Sequence, residues 1–318
     1  MPLIDYPLET LRSYRPEPNA PTDLTEFWQE SLDESKRTPL NSSFETIEYP
    51  VTGLEVQRVS YDGWRGARMS GWFLARKGAR SQATLVFYHG YGGSKGQVYD
   101  YLAWALQGYT VLAVDVRGQS GDSSDPGNYP GGHVSGWMTK GILSKDAYYY
   151  RGAYVESVRA LDLAVSRPEV DPDRIGVLGV SQGGGLTLAV AALDSRPKLA
   201  MPEVPFLCHY RRAVEVSNVN PYLELALYCH RHPDRESQVF DTLRYFDNLS
   251  IASRITCPVL MTVGLQDLVC PPSTIFAVYN HLSSTEKEIR VYPYGAHEAF
   301  PTHHEHKVAW ARRILKPD

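Results

Sequence analysis

The chain lacks the marks of several large protein classes. It has no excess of positive charge: 32 lysines and arginines against 36 aspartates and glutamates leave a net charge of −4. The basic footprint that a nucleic-acid binder uses to neutralise phosphates is therefore missing. The pairs Arg211-Arg212 and Arg312-Arg313 sit beside apolar residues and read as solvated helix edges, so no nucleic-acid partner is expected. No run approaches the roughly 20 apolar residues that crossing a bilayer requires, and no membrane partner is expected either. The first residues show no basic start, apolar stretch or cleavage pattern of a secretory signal. Cysteine is scarce, at four. Cys208, Cys229, Cys257 and Cys270 have none of the spacings of a zinc cluster or a redox pair. Reduced, structural thiols and a cytoplasmic location are the expectation.

What is present is a globular composition over 318 residues, with 21 tyrosines and 6 tryptophans, enough for a large core and a ring-lined cleft. Residues 1–40 read as an N-terminal extension carrying one amphipathic helix over 24–35. Asp23 or Thr22 would cap it, and Phe27, Trp28 and Leu32 share a face. Period-two runs over 45–51, 55–61 and 67–75 read as strands. Short continuous apolar runs over 83–88, 109–114 and 174–179 then read as strands buried on both faces, with two more over 258–263 and 288–292. Helical stretches over 99–107, 148–166, 183–193, 273–281 and 305–315 separate or follow them. This alternation predicts an α/β fold with a mostly parallel central sheet and helices on both faces. A Gly-, Ser- and Asp-rich excursion over 117–147 reads as functional or oligomer-forming. Residues 203–254 read as a small helical cap inserted into a single domain spanning 1–318.

The chemistry centres on Gly179-Val180-Ser181-Gln182-Gly183, a Gly-x-Ser-x-Gly between an expected strand and an expected helix. Such a turn lifts a serine hydroxyl to the carboxyl end of a sheet, as in the α/β-hydrolase fold. A serine is a poor nucleophile near neutral pH and needs a base oriented by an acid. Asp267 and His297 follow in that order, each after a later strand. They are assigned as orienting acid and as general base. Two N–H donors must face the oxyanion: the amide of Gln182, after the nucleophile, and that of Tyr91 in the turn from Tyr88 to Gly93. His89, just before that turn, is expected to make a structural hydrogen bond. His303 and His306 are three apart but are expected to be exposed at a helix start. No metal and no organic cofactor is expected, and Cys270 reads as packing. The Tyr148–Tyr150 run and Trp137 read as core.

Beyond these residues, the chain resembles carbohydrate esterase family seven, the acetyl xylan esterases and cephalosporin C deacetylases of the α/β-hydrolase superfamily. The resemblance rests on Arg117-Gly118-Gln119, the Gly179–Gly183 turn and His297-Glu298. It extends to the stretch from Gly131 to Leu143, to Tyr148–Gly152 and to Pro271–Thr274. It implies a serine esterase that removes acetyl groups from small esters through an acyl-serine intermediate. It also implies a cytoplasmic homohexamer whose partner is a small acetylated substrate. Arg117, Gln119 and Glu298 are implied as structural support of the site, and an Arg117–Glu298 bond is expected to hold the His297 loop. Glu203 stands where the family tends to have aspartate, and its extra methylene is expected to alter the pocket wall. The alternatives are a general short-chain carboxylesterase, a prolyl-oligopeptidase-like peptidase and a non-catalytic scaffold. The peptidase needs a gating domain that roughly 80 residues before the first buried strand do not supply.

Overall fold

The apolar runs become the middle of one sheet. The computed structural model describes residues 4–317. Its strands are β1 (Ser43–Thr46), β2 (Leu54–Asp62), β3 (Arg68–Arg76), β4 (Gln82–Tyr88), β5 (Thr110–Val114), β6 (Val170–Val180), β7 (Pro197–Glu203), β8 (Val259–Gly264) and β9 (Lys287–Tyr292). They pair in the order β1-β2-β3-β5-β4-β6-β7-β8-β9. The pairs β1/β2, β2/β3 and β3/β5 are antiparallel, and every pair from β5 through β9 is parallel. Side chains are buried on both faces. One face packs Trp28, Tyr154 and Phe246, and the other packs Trp104, Tyr109, Leu199 and Leu315. This is the α/β-hydrolase architecture, with helices on both sides of a mixed sheet.

β7 was not foreseen. Its apolar run is only Leu199-Ala200-Met201, bracketed by Pro197 and Pro202, and proline inside a run argues against a central strand. The strand is nonetheless interior, parallel to both β6 and β8. Burial on both sides outweighs the missing donors. After β7, residues 210–254 form the expected short helices, among them Tyr210–Val216, Tyr222–Arg231 and Glu236–Leu243. The expected helix over 99–107 is a 3-10 turn, Val98–Tyr101, running into one helical turn, Leu102–Ala105.

The N-terminal extension holds the expected helix, Leu24–Lys36, and a short one at Leu8–Ser13 that was not foreseen. Asp23 precedes the longer helix, but its side chain caps nothing. Instead its Oδ1 accepts the Tyr245 hydroxyl at 2.6 Å, tying the extension to the later helices. Asp5 makes a second tie, accepting from Arg212 at 2.8 Å and from the Ser273 N–H at 2.7 Å. Among the described residues no helix is long and apolar enough to cross a membrane.

Candidate active site

Because β4, β6, β8 and β9 run parallel, the loops after them leave the sheet at one edge. Ser181 follows β6 directly and precedes the helix Gln182–Leu193. Its backbone has φ +58° and ψ −117°, outside the regions open to an ordinary L residue. The strain is held by three backbone bonds, each 2.9 Å: Ser181 N–H donates to the Glu203 carbonyl, while its own carbonyl accepts from Gly185 and Phe206. Two glycines make the turn possible. A Cβ on Gly183 would lie 1.9 Å from the Tyr88 carbonyl oxygen, and one on Gly179 would lie 2.4 Å from the same atom.

Asp267 and His297 converge on this serine. The Ser181 Oγ lies 2.9 Å from His297 Nε2, and His297 Nδ1 lies 2.8 Å from Asp267 Oδ2. Asp267 is fully buried, and its Oδ1 accepts the N–H groups of Val269 and Cys270, both at 2.8 Å. The carboxylate is thus locked by its own turn, so the Nδ1 side of the imidazole carries the proton and Nε2 is free to accept from the serine.

Across the serine lies the turn after β4. Among the described residues, the N–H groups of Tyr91 and Gln182 have no hydrogen-bond partner; Gln182 opens a helix, whose first N–H has none within it. Gln119 joins the two loops. Its Oε1 accepts the Gly92 N–H at 2.9 Å, and its Nε2 donates to Gln182 Oε1 at 2.8 Å. Tyr150 donates to the same Gln182 oxygen at 2.9 Å, and Tyr149 stands 3.0 Å from Gln119 Nε2. The Tyr148–Tyr150 run is core, as expected, but two of its hydroxyls also brace the site. His89 is structural as expected: its Nε2 accepts the Val116 N–H and its Nδ1 donates to the Gly90 carbonyl, both at 2.8 Å. Burial holds its pKa below the ordinary value.

The family model for acetyl xylan esterase matches residues 1–314. The chain belongs to the acetyl xylan esterase family. It is similar to an acetyl xylan esterase from Paenibacillus sp. R4, with TM-score 0.95 and 44% identity, covering 98% of this chain and 100% of that one. It is also similar to acetyl xylan esterase 1 from Thermoanaerobacterium sp. JW/SL YS485, with TM-score 0.93 and 36% identity, covering 98% and 99%. Acetyl esterase Axe7A of Xylanibacter ruminicola is 27% identical over 313 residues, 95% of this chain and 69% of that protein. Membership makes the protein a carboxylic ester hydrolase.

Within this acetyl xylan esterase family chain, several expected contacts are placed differently. Arg117 does not reach Glu298. Its guanidinium pairs with Asp125 at 3.2 Å and Glu156 at 3.6 Å, lying over the backbone of Gly152. Glu298 is exposed, and its Oε1 accepts the Ala296 N–H at 3.1 Å. Two buried carboxylates need a buried cation more than an exposed one does, which outweighs the cost of desolvating the arginine. Gln119 braces the two loops beside the serine, not the His297 loop. His303 is fully buried, not exposed, and neither ring nitrogen has a hydrogen-bond partner. Burial lowers its pKa to about 3, so the ring is neutral. His306 Nε2 instead lies 2.7 Å from Arg290. The Glu203 carboxylate pairs with Lys307 of the last helix.

Asp267, Cys270 and His297 present ligand-type atoms within 4.8 Å of one another, the one such trio among the described residues. The carboxylate is already engaged through both oxygens. Burial pushes the Cys270 thiol well above its ordinary value, favouring the protonated sulfur over the thiolate that a metal takes.

Proposed function

We propose that the protein removes acetyl groups from small esters, acetylated xylo-oligosaccharides and the acetyl ester of cephalosporin C among them, through an acyl-serine intermediate. The observation that carries this reading is the unbroken chain from Asp267 through His297 to the strained Ser181. Ser181 Oγ attacks the acetyl carbonyl carbon while His297 Nε2 takes the hydroxyl proton. The carbonyl oxygen becomes an oxyanion facing the N–H groups of Tyr91 and Gln182, donors already in place before charge develops. The C–O bond to the alcohol then breaks, and His297 returns its proton to the departing oxygen. Water repeats the sequence on the acetyl-serine, releasing acetate and restoring the hydroxyl. Asp267 keeps the imidazole oriented and stabilises the imidazolium formed in both halves.

Membership of the acetyl xylan esterase family supports a short acyl group. Hydrolysis of 4-nitrophenyl acetate is expected to exceed that of the octanoate by at least about tenfold. Ser181→Ala should lower kcat by about 10⁴-fold or more. Retained activity in that variant would remove the nucleophile and the mechanism with it. Equal octanoate turnover would keep the triad and move the protein to the general carboxylesterases.

A cytoplasmic homohexamer is part of the same reading. The resemblance supports it, and the four free cysteines are compatible with a reducing compartment. Light scattering on protein recovered from the cytoplasmic fraction should give a six-chain mass; a monomer or dimer there contradicts it.

A further inference from the structure

The helix Tyr222–Arg231, in the insertion between β7 and β8, turns Glu224 inward until it is only 3% exposed. A buried carboxylate is costly without partners. Glu224 finds them on the far side of the serine turn. The Tyr91 hydroxyl donates to its Oε1 at 2.7 Å, and the Met138 N–H donates to its Oε2 at 3.1 Å. The Tyr91 oxygen in turn accepts the Trp137 N–H at 2.5 Å. The approach is close enough to require glycine at position 136, where φ is +115° and a Cβ would lie 2.1 Å from Glu224 Oε1. Burial raises the Glu224 carboxyl to about 7, even though the Tyr91 and Met138 bonds pull it down. The fold therefore keeps an acid at a place where an apolar side chain would be easier to bury.

The phenol that Glu224 holds belongs to the residue whose N–H faces the oxyanion. The next amide, Gly92, is held separately by Gln119. Tyr91 is thus fixed at its ring by Glu224 and just beyond its backbone by Gln119. We propose that Glu224 is a positioning residue for ester hydrolysis, which sets the direction of the Tyr91 N–H by clamping the Tyr91 phenol against the 136–138 backbone. This rests on the oxyanion role given to Tyr91 above. It makes the helical insertion a working part of the site, since the clamp and the donor lie on different segments. Glu224 bonds Tyr91 and Met138 and acts on the serine turn only through them.

The test compares wild type, Glu224→Gln, Tyr91→Phe and the double variant. Glutamine keeps the volume but has one oxygen; with that oxygen on the Met138 N–H, its NH₂ meets the Tyr91 oxygen and the Tyr91 hydroxyl loses its acceptor. Tyr91→Phe removes the clamped hydroxyl and leaves the backbone donor. Each single variant is expected to lose about tenfold in kcat on 4-nitrophenyl acetate, with KM within about twofold, a fraction of what removing a donor costs. The double variant should be no worse than either single, because both break one linkage. Methaneboronic acid, which forms a tetrahedral anion on a serine, should bind each variant more weakly by a similar factor.

An unchanged kcat in Glu224→Gln, or losses that multiply in the double variant, would overturn the positioning role. So would boronate inhibition that is strong in wild type and undiminished in Glu224→Gln, with the oxyanion assignment left standing. A wild type that hydrolyses the ester but ignores the boronate would instead overturn the oxyanion assignment, and the positioning role with it. If Glu224→Gln does not fold, Tyr91→Phe decides alone: unchanged kcat and unchanged boronate affinity overturn the clamp.

Discussion

Asp267→Asn is expected to lower kcat by about 10⁴-fold while the protein stays folded. The reason lies in how the carboxylate is divided. Oδ1 accepts two backbone N–H groups, from Val269 and Cys270, and Oδ2 faces His297 Nδ1. An asparagine has one oxygen, and the two fixed N–H donors claim it. Its NH₂ then faces His297 Nδ1 and donates, which moves the imidazole proton to Nε2. A protonated Nε2 cannot accept from the Ser181 hydroxyl, so the base is present but in the wrong tautomer. The volume and the turn are unchanged, so the melting temperature should move by only a few degrees. A variant with near-wild-type kcat would show that Asp267 does not set the tautomer.

Arg117→Ala is expected to be the most destabilising single change at the site. Arg117, Asp125 and Glu156 have side chains 5%, 8% and 2% exposed. Removing the cation leaves the buried Glu156 without its ion-pair partner, while Asp125 keeps Lys140 at 3.7 Å and the Tyr129 hydroxyl at 2.6 Å. Glu156 is already poorly served: Oε1 accepts the Trp64 N–H at 3.3 Å, Oε2 has no partner, and burial raises its pKa to about 7. Breaking a buried pair in this way costs about 3–5 kcal/mol. In a chain of this size that lowers the melting temperature by about 5–10 °C. Turnover should fall as well, since the Arg117 carbonyl accepts the Tyr149 hydroxyl at 2.6 Å and Tyr149 supports Gln119. Glu298→Ala, by contrast, removes an exposed side chain and should leave melting within about 1 °C. Thermal denaturation of the two variants separates the cases. Equal and small shifts would mean the Arg117 cluster contributes little.

Much of the fold was legible because it is written in local pattern. Continuous apolar runs mark β4, β5, β6 and β8, since a strand covered by helices on both faces has no polar side to show. Ser181 was legible because a strand-to-helix turn of that tightness demands small neighbours, and the sequence has glycine at 179 and 183. Asp267 and His297 were legible only through their order after later strands. β7 escaped because its prolines mimic a loop, and His303 because a histidine at a helix start is ordinarily exposed.

The motifs of the resemblance also gain a physical reason. Arg117 lies over the backbone of Gly152, and Gln119 bonds Tyr149. Two separated stretches of sequence are thus one packing unit. A side chain at 152 would meet the Arg117 guanidinium at 1.5 Å, so the arginine and the glycine require each other.

The strand and helix alternation and the serine turn are set locally, because each depends on residues a few positions apart, whereas Asp267 and His297 are marked only by their order after later strands. Which groups meet inside follows from tertiary packing: Arg117 with Asp125 and Glu156, and Glu224 with the Tyr91 hydroxyl across 133 positions. Such partners carry no spacing signal. Their choice follows from desolvation, which makes each buried charge take the partner that packing brings within reach.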